Sequence, residues 1–303
     1  MARITLLDGS IGQELMKRSG DVPTTIWSIQ VMRDHPGMVR DVHEAYFRAG
    51  ATVASTNTYC VHRDRLEKVD LDPELMPSLV EAALTEAEEA RGADEAEPTG
   101  RRIAGALGPL EASYRPDIRI APEEAAPKFA ELVRLMRDRV DFFLLETVAS
   151  LEHAEGALRG TAEAGKPVWL SVTVDDEDGT RLRSGEAVAD LAPLVARYAP
   201  EAVLINCSRP EAVSDGLRVI REFGLAFGAY ANGFTRISED FLKAKPTVDV
   251  LSARRDLDPA AYAGFAMRWV ALGATILGGC CEVGPDHIAH LAERLRAEGH
   301  EIV

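Results

Sequence analysis

Eight short apolar runs, each followed by an amphipathic stretch, predict an α/β fold: a single (β/α)8 TIM barrel occupying residues 1–303. Two observations carry this reading. The runs are apolar or β-branched throughout and close on Gly, Pro, Asn or Asp, as parallel strands buried on both faces do. Eight strand–helix units in this length also match the count of a closed barrel. A doubly wound open sheet is the competing architecture, built from the same alternation. No low-complexity linker divides the chain, so one domain is expected.

The strand candidates are "ITLLDG" (4–9), "TVASTNT" (52–58), "RIAGALGP" (102–109), "VDFFLLET" (140–147), "VWLSVTV" (168–174), "AVLINCS" (202–208), "LAFGAYAN" (225–232) and "ATILGGCC" (274–281). Between them lie helical patterns. "PGMVRDVHEAYFRAG" places Val39, Val42, Ala45 and Tyr46 on one side and stops at Gly50. "PELMPSLVEAALTEAEEARG" has a proline in its first turn and ends at Gly92. "PEEAAPKFAELVRLMRDR" begins with acids and ends with bases, which suits the helix dipole. Five further helices start near Ser150, Gly185, Arg209, Asp258 and Gly284. "RGADEAEPTGRR" (91–102) reads as a solvated loop, and the mixed segment 234–259 as an excursion before the last helix.

A net charge of −15 argues against a sequence-independent grip on nucleic acid, which needs clustered Lys and Arg. No apolar run approaches the roughly 18 residues of a membrane span, and "MARITLLDGSIGQEL" lacks the pattern of a signal peptide. A cytoplasmic location is the default expectation. Thiols stay reduced there, so the four cysteines are expected as ligands, nucleophiles or core residues rather than disulfide partners.

In such barrels the chemistry sits at the C-terminal strand ends. Those ends carry Asp8-Gly9, Thr56-Asn57-Thr58, Gly108-Pro109, Glu146-Thr147, Asn206-Cys207, Asn232-Gly233 and Cys280-Cys281. Three of the four cysteines therefore close only two strands, the sixth and the eighth. Three thiolates with one open position make a catalytic Zn2+ site rather than a closed structural one. Neighbouring strand residues point to opposite faces, so Cys280 and Cys281 can share an ion only if the backbone leaves the extended form. Gly278 and Gly279 permit that turn without a Cβ penalty. The alternative is that these are small buried hydrophobes. Cys60 has no such support and reads as structural. A zinc held by three thiolates is a poor activator of water. It suits binding a substrate thiol, whose pKa it lowers, and alkyl transfer to that sulfur follows.

The segments "LLDGSIGQEL" (6–15), "TNTY" (56–59), "GALGP" (105–109), "LLET" (144–147), "INC" (205–207), "YAN" (230–232) and "GGCC" with "GPDHI" (278–288) resemble the homocysteine S-methyltransferase family over nearly the whole chain. The resemblance implies a (β/α)8 barrel and homocysteine as the thiol. It makes Cys207, Cys280 and Cys281 the zinc ligands and the homocysteine sulfur their exchangeable fourth. By the same resemblance Asp8 and Gly9 hold the amino-acid end of homocysteine, Glu146 faces its ammonium, and Thr56 lines the substrate pocket. Asn232 matches a resting zinc ligand, and Trp27 a residue near the methyl donor. Asp8 could instead cap the helix opening at Ser10.

The expected reaction is transfer of a methyl group from a small sulfonium donor, S-methylmethionine or S-adenosylmethionine, to homocysteine, giving methionine. A betaine-type donor is disfavoured by Thr147, which stands where that branch often carries an aromatic. "TNTY" and "NCSRP" lean towards folate-dependent modules, but the chain has no added cobalamin domain. A homocysteine-binding module serving a separate cobalamin protein and a redox sensor using the Cys280–Cys281 pair are the other readings. His43, His62, His153, His287 and His290 are expected as surface or packing residues, so no histidine base is assigned.

Overall fold

The computed structural model describes residues 1–22, 24–93, 100–235 and 253–303. Its strands are β1 (Arg3–Leu6), β2 (Val53–Ser55), β3 (Arg102–Leu107), β4 (Phe142–Val148), β5 (Val168–Val172), β6 (Ala202–Asn206), β7 (Ala226–Tyr230), β8 (Ile276–Leu277) and β9 (Glu301–Ile302). Helices α1 (Ile11–Ser19), α2 (Trp27–Asp34) and α3 (Met38–Arg48) follow β1, and α4 (Arg63–Lys68) and α5 (Met76–Gly92) follow β2. Then come α6 (Pro122–Met136), α7 (Leu151–Thr161), α8 (Ala192–Tyr198), α9 (Pro210–Ile220), α10 (Pro259–Ala271) and α11 (Pro285–Ala297).

The strands form one sheet in the order β2-β3-β4-β5-β6-β7-β8-β1-β9, with all ladders parallel. The order runs consecutively, with none of the reversal that defines a doubly wound sheet. The sheet curls in a TIM-barrel-like manner until β1 approaches β2. That seam is narrow: one parallel bridge, Leu7↔Val53, and the Thr52 N–H donating to the Leu6 carbonyl at 2.7 Å.

The continuous apolar runs follow from burial on both sides. In β4, Phe142 and Leu144 join an inner cluster with Leu7, Val53, Trp169, Leu204 and Ile276, while Phe143 and Leu145 join the layer beneath the helices. Successive side chains alternate across the sheet. This parity continues upward: Glu146 comes after Leu144 on the inner side, and Asn206 after Leu204.

Several elements differ from the sequence expectation. β8 is shorter than 274–281, and β2 ends before Thr56, because the chain leaves the extended form early to build the rim. β9 is a stub paired with β1, Arg3↔Glu301 and Ile4↔Ile302, too short to leave a pattern. Helices α2 and α4 also escaped the sequence reading. The excursion from 234 precedes the penultimate helix, α10, rather than the last. Residues 236–252 of it, and 94–99 of the acidic loop, lie outside the described residues, while Phe234 bridges Ala253 where the chain returns. No helix among the described residues is long and apolar enough to cross a membrane.

Gly228 lets β7 lie against β8: a Cβ there would sit 1.8 Å from the Ile276 carbonyl oxygen. Gly228→Ala is expected to destabilise the fold by about 1–3 kcal/mol or more. Gly92→Ala, where a Cβ meets nothing within 4 Å, should stay within about 0.5 kcal/mol. Denaturant midpoints measure both, and equal midpoints would contradict this packing.

Candidate active site

The strand-end loops surround a cavity of about 210 Å³ above the inner cluster. Asp8, Gly9, Thr56, Glu146, Cys207, Cys280 and Cys281 all line it. Asn232 does not, and Trp27 is the first residue of α2, beside the lining residues Ile26 and Ser28; its side chain lies outside the described residues.

The sulfurs of Cys207, Cys280 and Cys281 lie within 4.8 Å of one another. The intervening strand brings them together. The Cys207 N–H donates to the Tyr230 carbonyl at 3.3 Å and the Cys280 N–H to the next carbonyl, Ala231, at 3.0 Å. Cys207 sits at φ 48°, a left-handed turn that reorients its side chain at the end of β6. The turn at the other cysteines works differently from the sequence expectation. Gly278 and Gly279 are not at positive φ; Glu282 is, at 64°. What the glycines supply is space, since a Cβ on Gly278 would lie 2.6 Å from Leu7 Cβ and one on Gly279 2.2 Å from Val283 Cγ1.

The three sulfurs form the ligand cluster expected from the sequence, and within it Cys207 and Cys280 are close enough to pair as a disulfide while Cys281 is free. The redox reading named the adjacent pair Cys280–Cys281, and the bonded pair is instead 73 residues apart in sequence. Three sulfurs held this close can share a cation. Burial pushes the Cys281 thiol up to about 12, so it ionises at neutral pH only with a positive charge beside it. The donor set fits zinc, whose bonds to sulfur of about 2.3 Å place tetrahedral sulfurs roughly 3.8 Å apart.

Asp8 is buried and does not cap α1. Its carboxylate crosses to β2, accepting from Ser55 N–H at 2.6 Å and from Ser55 Oγ at 2.9 Å. Burial pushes it up to about 8, against the Ser55 hydrogen bonds. Glu146 accepts from the Tyr230 hydroxyl at 3.0 Å, and burial pushes it up to about 7. Gly9 packs where a Cβ would meet the Val283 carbonyl oxygen at 2.1 Å and the Tyr46 hydroxyl at 2.9 Å.

Other expectations meet different surroundings. The Thr56 hydroxyl accepts from Ala106 N–H at 3.0 Å and contacts Thr58 Oγ1 at 2.7 Å. Thr58 donates to the Ala106 carbonyl, so the one Thr56 proton goes to Thr58. The Asn232 Oδ1 accepts from Phe234 N–H at 3.2 Å. None of the seven histidines lines the cavity; burial lowers His43, His62 and His153 to about 4, leaving them neutral packing residues.

Sequence reasoning placed Asn206 at a strand end without giving it a role; it takes Thr147 N–H and Ser171 Oγ, each at 2.9 Å, and donates to Thr147 Oγ1 at 3.0 Å. It fastens Thr147 in a left-handed turn at φ 58°, beside Glu146. Its inward parity above Leu204 was the available signal. Cys60, read as structural, stands on the cavity wall.

The family model described as homocysteine S-methyltransferase matches residues 5–295. The chain belongs to this family. It is therefore a methyltransferase-family enzyme, as the strand-end motifs implied. A curated relative, homocysteine S-methyltransferase of Escherichia coli strain K12, is 29% identical over 304 residues, covering 96% of this chain and 95% of its own. The crystal structure of the homocysteine methyltransferase MmuM from Escherichia coli in its metallated form superposes with a TM-score of 0.80 at 25% identity, covering 96% of both chains. Its oxidized form gives the same TM-score, identity and coverage.

The raised carboxyls set a pH dependence. Both fold with pKa values above their unfolded ones of 3.8 and 4.5, so the folded chain holds more protons between these limits. Their contribution to stability is complete below about pH 4 and is lost as pH rises through 7 and 8. The ligand-free protein should melt at falling temperature from pH 5 to 8.5, and Glu146→Gln should flatten that slope. An unchanged slope in this variant would remove Glu146 from the account.

Proposed function

We propose that this enzyme is a zinc-dependent homocysteine S-methyltransferase that takes its methyl group from a small sulfonium compound, with residues 1–303 acting as one (β/α)8 barrel domain. The observation that carries the reading is the meeting of three cysteine sulfurs, the buried Asp8 carboxyl and the half-buried Glu146 carboxyl in one cavity. Family membership and the metallated form of the similar MmuM support it.

Cys207, Cys280 and Cys281 would hold the zinc, which supplies a positive charge that keeps a substrate thiol ionised at neutral pH. Asp8 and Glu146 are placed to receive the ammonium of homocysteine. Each would then ionise at a lower pH, because a cation replaces part of the lost hydration. The start of α1 lines the same wall and suits the carboxylate of the amino acid. Apolar walls exclude water, and orientation does the rest. The homocysteine thiolate attacks the methyl carbon in line, the new S–CH3 bond forms, and the donor leaves with the electron pair of the broken bond as a neutral thioether. No acid or base on the protein is required in that step. Trp27 and Thr56 would shape the pocket, and Asn232 would reach a metal only after giving up Phe234.

Reduced protein should bind about one zinc per chain, and disulfide-bonded protein much less. The loaded enzyme should form methionine from homocysteine and S-methylmethionine. Cys280→Ser should lose both zinc and turnover, whereas Glu146→Gln should raise the KM for homocysteine with zinc retained. Metal analysis and product chromatography read these outcomes. Unaltered zinc content and turnover in Cys280→Ser would refute the proposal, and bound zinc without turnover on any sulfonium donor would favour a module serving a separate methyl-carrying protein.

A further inference from the structure

One end of the cavity carries a charge that the methyl-transfer reading leaves unused. Arg65, on α4, is only 8% exposed and lines the cavity wall. Its Nη1 donates to Cys60 Sγ at 2.8 Å and its Nη2 to Ser113 Oγ at 3.0 Å, and the guanidinium lies 5.4 Å from the centre of the Tyr59 ring. All three partners are formally neutral groups. Its Nε is buried without a hydrogen-bond partner. The acids nearest in the chain and across the cavity are each taken by a lysine: Asp64 by Lys128 at 3.1 Å, and Glu111 by Lys68 at 2.7 Å. Among the described residues no carboxylate hydrogen-bonds or salt-bridges Arg65; Asp64 acts on it only through space.

A buried guanidinium with neutral partners and a free donor is costly unless an anion joins it. The planar fork favours a carboxylate, which can accept two of its N–H groups at once. Asp8, Glu146 and the cysteine sulfurs make their part of the cavity a place for cations, whereas among the described lining residues Arg65 is the one buried cation, the other cation, Lys68, being half-buried and paired with Glu111. We propose that Arg65, with Ser113 beside it, binds the carboxylate of the methyl donor and so selects a zwitterionic sulfonium amino acid over a sulfonium lacking that carboxylate. This rests on the sulfonium-donor reading above and assigns the donor's orientation: carboxylate towards α4 and methyl towards the sulfur cluster.

The test compares S-methylmethionine with its decarboxylated analogue, (3-aminopropyl)dimethylsulfonium, which keeps the sulfonium and the amine. Calorimetry on the zinc-loaded wild-type protein should show S-methylmethionine bound roughly 10–100-fold more tightly, the value of a charge-assisted hydrogen-bond pair. In Arg65→Met the preference should collapse towards unity, and Arg65→Lys should restore part of it; the ratio of kcat/KM values should follow. Equal binding of both compounds by wild-type protein would overturn the assignment without any variant, and so would a preference that survives in Arg65→Met. Because binding is read apart from turnover, a protein that keeps the Arg65-dependent preference yet makes no methionine would defeat the methyltransferase reading and leave this one standing.

Discussion

The site depends on two loops approaching each other more closely than side chains allow. After β1, Asp8 and Gly9 pass over Gly278 and Gly279, with Gly279 N–H donating to the Asp8 carbonyl at 2.9 Å and Ser10 N–H to the Val283 carbonyl at 3.0 Å. The Gly9 Cα stands 3.4 Å from where a Gly279 Cβ would be. A methyl group at either glycine would have to displace backbone or Val283, which a packed interior resists. The contact places the paired cysteines beside the buried carboxyl of Asp8. Gln13 reinforces it from α1, accepting from Glu282 N–H at 2.6 Å and from Ser10 Oγ at 2.6 Å. The cysteine cluster and the Asp8 loop thus form one object, held where β1 meets β8 in the curled sheet.

The electrostatics follow from that geometry. Burial is the main reason the site resists ionisation: it pushes Asp8 up to about 8, Glu146 up to about 7 and the Cys281 thiol up to about 12, with the charge of Glu146 adding a smaller push on Asp8 and Cys281. The same penalty makes the cavity a good host for positive charge. A metal ion or an ammonium bound there would restore part of the lost solvation and release protons. A disulfide between Cys207 and Cys280 is the other way to relieve the crowding, because it removes two ionisable thiols at once. On the zinc reading, metal loading and sulfur–sulfur bonding would therefore compete for the same atoms.

How far the sequence revealed this can be argued element by element. The eight main strands were legible because burial on both faces leaves unbroken apolar runs, and "FFLLE" even contained the parity that turns Glu146 inward above Leu144. The three cysteines were legible because strand ends in such a sheet converge. What pulled Cys207 and Cys280 together was not, since it lies in the carbonyls of Tyr230 and Ala231, at and just past the end of β7, and in a left-handed turn at a non-glycine residue, neither of which leaves a pattern. The glycines were noticed for the wrong property: torsional freedom, when the close approach of Leu7 and Val283 is what requires them. Arg65 was passed over because α4 is a six-residue helix with no periodicity to mark it, and because attention to strand ends ignores what a helix sends into the cavity from the side.

The absence of histidine from the cavity wall bears on how the thiol is activated. His62 gives its Nε2 to the Gly108 carbonyl and His287 its Nε2 to the Leu257 carbonyl, at 3.0 and 3.1 Å, and burial keeps His62 neutral. Tyr230 and Tyr114 are held well above the ordinary phenol range by burial, so neither exists as a phenolate at neutral pH. Glu146 and Asp8 are the cavity groups able to take up a proton near neutrality, yet an ammonium beside them would favour their charged forms and lower that capacity. A base therefore weakens as the substrate arrives, whereas a fixed positive charge among three sulfurs does not. Activation of sulfur by that charge, with the proton released to solvent as the substrate enters, is the chemistry this arrangement of neutral histidines, buried tyrosines and crowded acids favours.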